Sequence, residues 1–445
     1  MNIPRFCLAT ASRFSQVCHS LDLRARASNL LSLLMLFAPL APASAQTASI
    51  RSATGPATLL ISELRTSGPA GQDDDFVEIY NNSDSLFTVP AGGYGLFKMG
   101  AACTDMPTLV GVIPATTQIK PRGHFLFIGT AYSLANYGGT GAATGDATLS
   151  ATATSPNIEA DRNVALFTTI DPAALSSAAL LDAVGFTPAN TGGNCDLLRE
   201  GTNLAAANGS TAEHSFVRDL TTGYAQDTND NAADLFVVST MPSAAVGSNA
   251  TPRLGAPGPE NLASPVLKTN AQISSLPLDA TQSSTMAPNR VRDSTANVCN
   301  GGAAPSNCTF GTLSIRRRFT NNTGADVTRL RFRVVQMTTL PGSAAAGVAD
   351  VRLLTSPAIS GPSINDPATC GAFGLGTPCS FVLQGTTLET PPAQSMGGGY
   401  NSTARAGVIT TGVPLHPGAS IVVQFLLGVQ KSGSFTFFVM VKAVP

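Results

Sequence analysis

The sequence contains no tryptophan, four histidines and only 12% Asp, Glu, Lys and Arg, about half the usual charged share. Scarce charge beside ample Val, Leu, Ile and Phe argues against disorder and for packed structure. No GxSxG elbow, HExxH helix, P-loop or Rossmann glycine pattern occurs. Beyond the first 45 residues the histidines are His124, His214 and His416, far apart in the chain. A triad or zinc hydrolase would need residues assembled without a recognisable motif, so the expectation is a protein that is not an enzyme, with no catalytic residues and no required cofactor. His416 in LHPGAS reads as a turn residue, and His214 before SFVRD as one packed near a sheet edge. No CxxC is present and no histidine lies near a cysteine, which weighs against zinc. No stretch repeats apolar residues at the 3.6-residue period, and Pro and Gly interrupt the chain too often for ordinary helices.

The first 45 residues set the address. Arg5, Arg13, Arg24 and Arg26 precede LLSLLMLFAPLA, and Ala43-Ser44-Ala45 is the small-residue pattern that a signal peptidase accepts, predicting cleavage before Gln46. An apolar run of about a dozen residues is too short for a span that needs roughly 20. The remainder carries 22 basic and 26 acidic side chains, a net charge of −4, which gives no global attraction to nucleic acid or anionic membrane. It is expected to be secreted, extracellular or periplasmic.

Six cysteines remain, and their spacing favours Cys299 with Cys308, Cys370 with Cys379, and Cys103 with Cys195. Short runs rich in β-branched and aromatic residues predict strands: TLLISEL, FVEIYNN, HFLFIG, NVALFTT, LLDAVGF, LSIRRRF, LRFRVV, ADVRLL, SIVVQFLLGV and FTFFVMV. The predicted fold is all-β, two β-sandwich domains at 46–243 and 263–445, joined by a Pro-rich linker at 244–262. PAALSSAALLDA, from Pro172 to Ala183, is the one predicted helical turn. GGTGAATGDATLSATATSP, from Gly138 to Pro156, reads as a long surface loop. Two hairpins are expected: one folding Ile421–Val429 back through Lys431-Ser432-Gly433 onto Phe435–Val441, the other joining the strands on either side of NNTGAD.

LLISELRTSGPAGQDDDFVEIYNNSDS, from Leu59 to Ser85, asks whether Asp73, Asp74, Asp75 and Glu78 form a chemical site or a bend. Alternation places Glu78 beside Phe76 and Tyr80, opposite Val77 and Ile79. A structural hydrogen-bonding role is expected for it, with pairing to Arg65 or Arg218, or metal ligation, as alternatives. The stretch resembles the opening of the lamin tail domain, and DRNVALF, LLDAVGF, SFVRD (Ser215 to Asp219) and DTNDNAADLF (Asp227 to Phe236) follow in that family's order, over about residues 57–243. The resemblance implies an immunoglobulin-like sandwich acting as a binding or structural module of a secreted bacterial protein. This copy departs from the pattern in the Gly138 to Pro156 and Gly192 to Asn208 loops and in Cys103 and Cys195. Because relatives of the domain are fused to nucleases and phosphatases, an extracellular phosphoesterase-type hydrolase, or an accessory to one, is the alternative reading.

Two constellations merit attention as ligand sites. Asp227, Asn229, Asp230, Asn231 and Asp234 place oxygen donors close together, as calcium loops do, although the bending Gly and distal Glu of an EF-hand are missing; Asx turns are the plainer reading, and Asp73 to Asp75 is a weaker calcium candidate. In the second domain Leu313, Ile315, Phe319, Leu330, Phe332 and Val334 are expected to face inward. If the strands pair as a hairpin, Arg316, Arg318, Arg329, Arg331 and Arg333 share one outer face, suited to an acidic glycan, envelope phosphate or nucleic acid, and the partners expected of the protein are an acidic glycan, an envelope component or another surface protein. The plainer reading is a solvated face that resists edge aggregation. The sequons at Asn81, Asn208, Asn249, Asn307, Asn321 and Asn401 matter only in a glycosylating host.

Overall fold

A computed structural model describes residues 58–139, 144–149, 157–187, 192–207, 210–249 and 251–444. The predicted signal segment and its cleavage site lie outside these residues, as do parts of the Gly138 to Pro156 loop. Strands account for 37% of the chain and helix for 6%, so the fold is all-β. The Pro172–Ala174 turn is 3₁₀, and the rest of the expected helical segment runs into a strand at Leu180–Val184.

The first sandwich pairs a seven-stranded sheet with a four-stranded one. At the centre of the larger sheet, Leu59–Arg65 lies between Phe76–Asn81 and His214–Arg218, and His124–Ile128 follows beyond Phe76–Asn81. Leu59, Ile61, Val77, Ile79, Phe125 and Phe127 point from it into a core shared with Leu96, Val110, Val164 and Leu166 of the smaller sheet. In the second sandwich, one sheet runs Val266–Leu267, Phe437–Val444, Arg329–Met337, Thr403–Arg405, Thr387–Leu388, and the other Ile273–Pro277, Thr312–Asn321, Ser420–Lys431, Asp350–Leu354. The expected inward residues all face this core, where Phe332 and Phe425 meet edge to face at 4.8 Å.

Neither expected hairpin forms. Thr312–Asn321 pairs with Ser420–Lys431, and Arg329–Met337 pairs with Phe437–Val444; in each case consecutive strands cross from one sheet to the facing one. Period-2 alternation defines which face is buried, and it is satisfied equally by either sheet.

One corner is built twice. Asn81 ends a strand and donates through Nδ2 to the carbonyls of Ser85, Ile119 and Lys120, while its Oδ1 accepts from Ser83 N and Oγ. Asn321 does the same with Ala325, Leu415 and Thr323. The strand after each corner starts beyond a Pro-containing turn, closed by Gly123 N on Lys120 O in the first sandwich and by Ala419 N on His416 O in the second. Both asparagines are buried, so neither sequon presents a free amide.

The Pro-rich segment connects the sandwiches but is not a loose tether. Arg253–Leu254 extends the first sheet beside Leu235–Ser239, and the Leu254 carbonyl accepts from Tyr400 N of the second sandwich. A methyl group at Gly255 would run into the Tyr400 carbonyl, and one at Gly258 would crowd Tyr137 and Arg333. Here glycine allows close approach of backbones. The Cys103–Cys195, Cys299–Cys308 and Cys370–Cys379 disulfides all form, with Cα separations of 5.0, 6.0 and 5.7 Å.

Candidate functional site

Among the described residues, a large gathering of ionisable groups lies where the sandwiches meet. Alternation along Phe76–Asn81 sends Val77 and Ile79 inward and Glu78 to the opposite face, while Arg331 and Arg333 stand outward from a strand whose Leu330, Phe332 and Val334 are core. These two outer faces stack on each other, with Glu260 of the connecting segment between them. Its carboxylate meets Arg331 Nη1 at 2.7 Å, His124 Nε2 at 2.8 Å, Arg333 Nη2 at 3.1 Å, and Lys442 Nζ. His124 Nδ1 lies 3.1 Å from Glu78 Oε1. Glu78 also accepts from Ser62 Oγ at 2.5 Å and from Glu260 N at 2.6 Å. Arg331 Nε lies 2.5 Å from Glu389 Oε2, which accepts from Thr403 Oγ1 at 2.7 Å. Glu63 accepts from Ser215 Oγ at 2.6 Å, Gly258 N at 2.9 Å and Asn401 Nδ2 at 3.0 Å.

The electrostatics follow from burial. Desolvation alone would raise the Glu260 pKa, but Arg333, Lys442 and His124 outweigh it and hold the group well below the ordinary range. Burial and the neighbouring Glu78 push Glu63 up to about 7. Burial lowers Lys442 to about 8 against the pull of Glu260. His124 is raised, since Glu78 and Glu260 overcome its desolvation. Glu78, His124 and Glu260 bring ligand-type atoms within 4.8 Å of one another. They nevertheless suit a metal poorly, because both imidazole nitrogens face carboxylates and the Lys442 ammonium occupies the centre of negative charge. Glu78 pairs with neither Arg65 nor Arg218; its cations are His124 and, more distantly, Arg333.

A second cluster lies within the first sandwich. Arg218 contacts Asp182 at 2.7 Å, Asp234 at 3.6 Å and Asp227 at 3.9 Å. Burial and then the Asp182 charge raise Glu200 to about 9, so it stays protonated and donates to Asp182. The calcium candidates do not converge on one centre. Asp230 caps the short Asn231–Asp234 helix, Asn231 bonds Gly185 N and the Ala183 carbonyl, Asp234 accepts from Thr228, and Asn229 takes a left-handed turn position at φ 57°. Asp227 Oδ1 accepts from Asn229 N at 3.4 Å and lies 3.9 Å from Arg218 Nη1. Asp74 pairs with Arg65 and Ser133, and Asp75 accepts from Ile158 N at 2.8 Å, so the acidic opening stretch is a bend locked by an internal ion pair.

The five arginines do not form one outer face, because their strands belong to opposite sheets. Arg331 and Arg333 are buried against the first sandwich, and Arg329 is partly covered, 3.0 Å from Glu389. Arg316 and Arg318 lie on the far side, bonded to Gln424 Oε1 and the Ala368 carbonyl beneath the excursion that carries Cys370 and Cys379. His214, lowered to about 4 by burial, bonds the Ala212 carbonyl, and exposed His416 lies 2.8 Å from Asp326.

Sequence reasoning missed Glu63, His124, Glu260, Glu389 and Lys442 as members of one cluster. The available signal was complementary: outward carboxylates on the first sandwich's strands and outward arginines at alternate positions in the second, within a chain poor in charge. Three open clefts are also present, of about 540 Å³ beside Thr338–Gly342, 900 Å³ beside the Cys299–Cys308 loop and 630 Å³ beside Lys120 and Lys268; no histidine lines them. No helix among the described residues is long and apolar enough to cross a membrane. In comparison with known proteins, no family model and no curated sequence matched this chain.

Proposed function

We propose that this is an exported structural or binding protein of the cell envelope or medium, acting without catalysis in adhesion or surface assembly. One observation carries the reading: among the described residues, a dense network of buried charges lies where the two sandwiches are joined into a single body. Buried pairs of this kind contribute orientation and specificity more than net stability, which suits a protein whose task is to hold surfaces in fixed relation. Three disulfides fit an oxidising compartment, and the lamin-tail-like stretch fits a secreted module.

The test purifies the chain from Gln46 onward for the binding and turnover assays, and follows the full chain, with its first 45 residues, in fractionated cells. The expected result is recovery outside the cytoplasm, retention on envelope material, and no turnover of generic phosphodiester, ester or glycoside substrates. Turnover that co-purifies with the protein would overturn the non-catalytic reading, and purely cytoplasmic recovery would overturn export.

A further inference from the structure

The chain has five lysines. Lys98 donates to the Asn157 carbonyl and pairs with Glu159, Lys431 donates to the Ser343 and Ala345 carbonyls, and Lys442 belongs to the interface network. No hydrogen bond or ion pair engages the side-chain ammonium of Lys120 or Lys268 among the described residues. Those two come from different sandwiches and line the same cleft of about 630 Å³, with Pro121, Val266 and Leu267 as its apolar walls and Thr269 and Gln272 at its edge. Arg122 adds a third cation, and the exposed Asp84, 2.9 Å from its Nε, is the one acid of the lining. Burial and the nearby Lys120 charge both disfavour the Lys268 ammonium, as expected for like charges held together without a counterion.

The turn that presents Lys120 is itself unusual. At the equivalent corner of the second sandwich the left-handed position is filled by Gly418 at φ 77°, whereas here Arg122 takes φ 56°. A non-glycine side chain in that region costs free energy. The cost is borne at the one corner of the two that faces the cleft between the sandwiches.

We propose that the cleft between Lys120 and Lys268 binds a small amphipathic anion, its phosphate or carboxylate head between the two ammonium groups and its apolar body against Pro121, Val266 and Leu267. The volume is of the size that holds a small organic ligand. The proposal does not depend on export or on the absence of catalysis, because the cleft is separate from the ion network.

Titration calorimetry of the chain from Gln46 onward with decyl phosphate and with decanoate, below their aggregation thresholds, tests it. Saturable binding is expected for at least one of them, weakened about tenfold by Lys120→Ala or Lys268→Ala and largely retained in Lys120→Arg and Lys268→Arg. Which of the two binds identifies the head group. Both lysines are at least partly exposed, so the variants should melt with the parent, and a melt on each preparation checks this. Absence of saturable binding, equal binding of inorganic phosphate or of uncharged decyl maltoside, or binding untouched in the double alanine variant would each overturn the proposal. So would binding to anionic vesicles without binding of either free amphiphile.

Discussion

At the scale of single residues, the consequence of burying so many charges is that each depends on its partners. Glu260→Gln removes the charge that faces Arg331, Arg333, Lys442 and His124 at once. A loss of roughly 3 to 5 kcal/mol in urea unfolding is expected, as for breaking a buried pair from one side; a loss below about 1 kcal/mol would show that water reaches the network. Glu63 makes the stability depend on pH in a definable direction. Its folded value, about 7, lies above the ordinary 4.5, so between those values the folded protein holds a proton that the unfolded chain has released. The stability this confers is complete below 4.5 and lost as pH rises through about 7, with a slope of at most about 1.4 kcal/mol per pH unit for one proton. Facing Glu63 are Glu78, Arg333, Ser215 and the Gly258 amide. Asp75 and Glu200, raised to about 7 and about 9, act in the same direction, whereas Glu260, held low, withdraws stability only in acid. The urea midpoint should therefore fall from mildly acid to neutral pH, and Glu63→Gln should make that fall shallower without removing it. An unchanged slope in the variant would mean that Glu63 titrates normally.

At the scale of elements, much was legible and the errors share one cause. The strands, their inward faces and the cysteine pairs could be read because alternation and loop closure are local properties. Strand partners could not, since Ser420–Lys431 and Phe437–Val444 would satisfy their buried faces in one sheet or in two. What decides is the corner chemistry, and that was visible only as Asn-Asn-Ser and Asn-Asn-Thr. Asn81 and Asn321 each saturate a turn with one side chain, leaving buried carbonyls without donors if removed. Asn81→Ala and Asn321→Ala should each cost about 1 to 3 kcal/mol. Because the two corners lie in separate cores with no shared partner, the double variant should lose the sum. A strongly sub-additive result in denaturant titrations would show the corners to be coupled through the interface.

At the scale of the whole molecule, the candidate site was the least legible part, because it belongs to neither domain alone. Composition suggested that Gly255, Pro257, Gly258 and Pro259 form a linker; the same residues instead bring Glu260 between two sheets, where a side chain at Gly255 would meet backbone. The arginine stripe was correctly placed outward on its strand, and what covers it could not be read from that strand. The two main cores share no residue, so the second sandwich, residues 263–445, should fold alone while lacking Glu260 and Glu63. Its outer face would then expose Arg329, Arg331, Arg333 and Lys442 against the single acid Glu389. On heparin at low salt the isolated sandwich should be retained and elute late in a salt gradient, since an exposed cationic face is screened only as ionic strength rises. The intact chain, whose own acids neutralise that face, should elute earlier. Reversing Arg329, Arg331 and Arg333 to Glu should abolish the retention of the fragment. Coincident elution of fragment and intact chain would mean that the interface opens in solution, and that the sandwiches are tethered rather than joined.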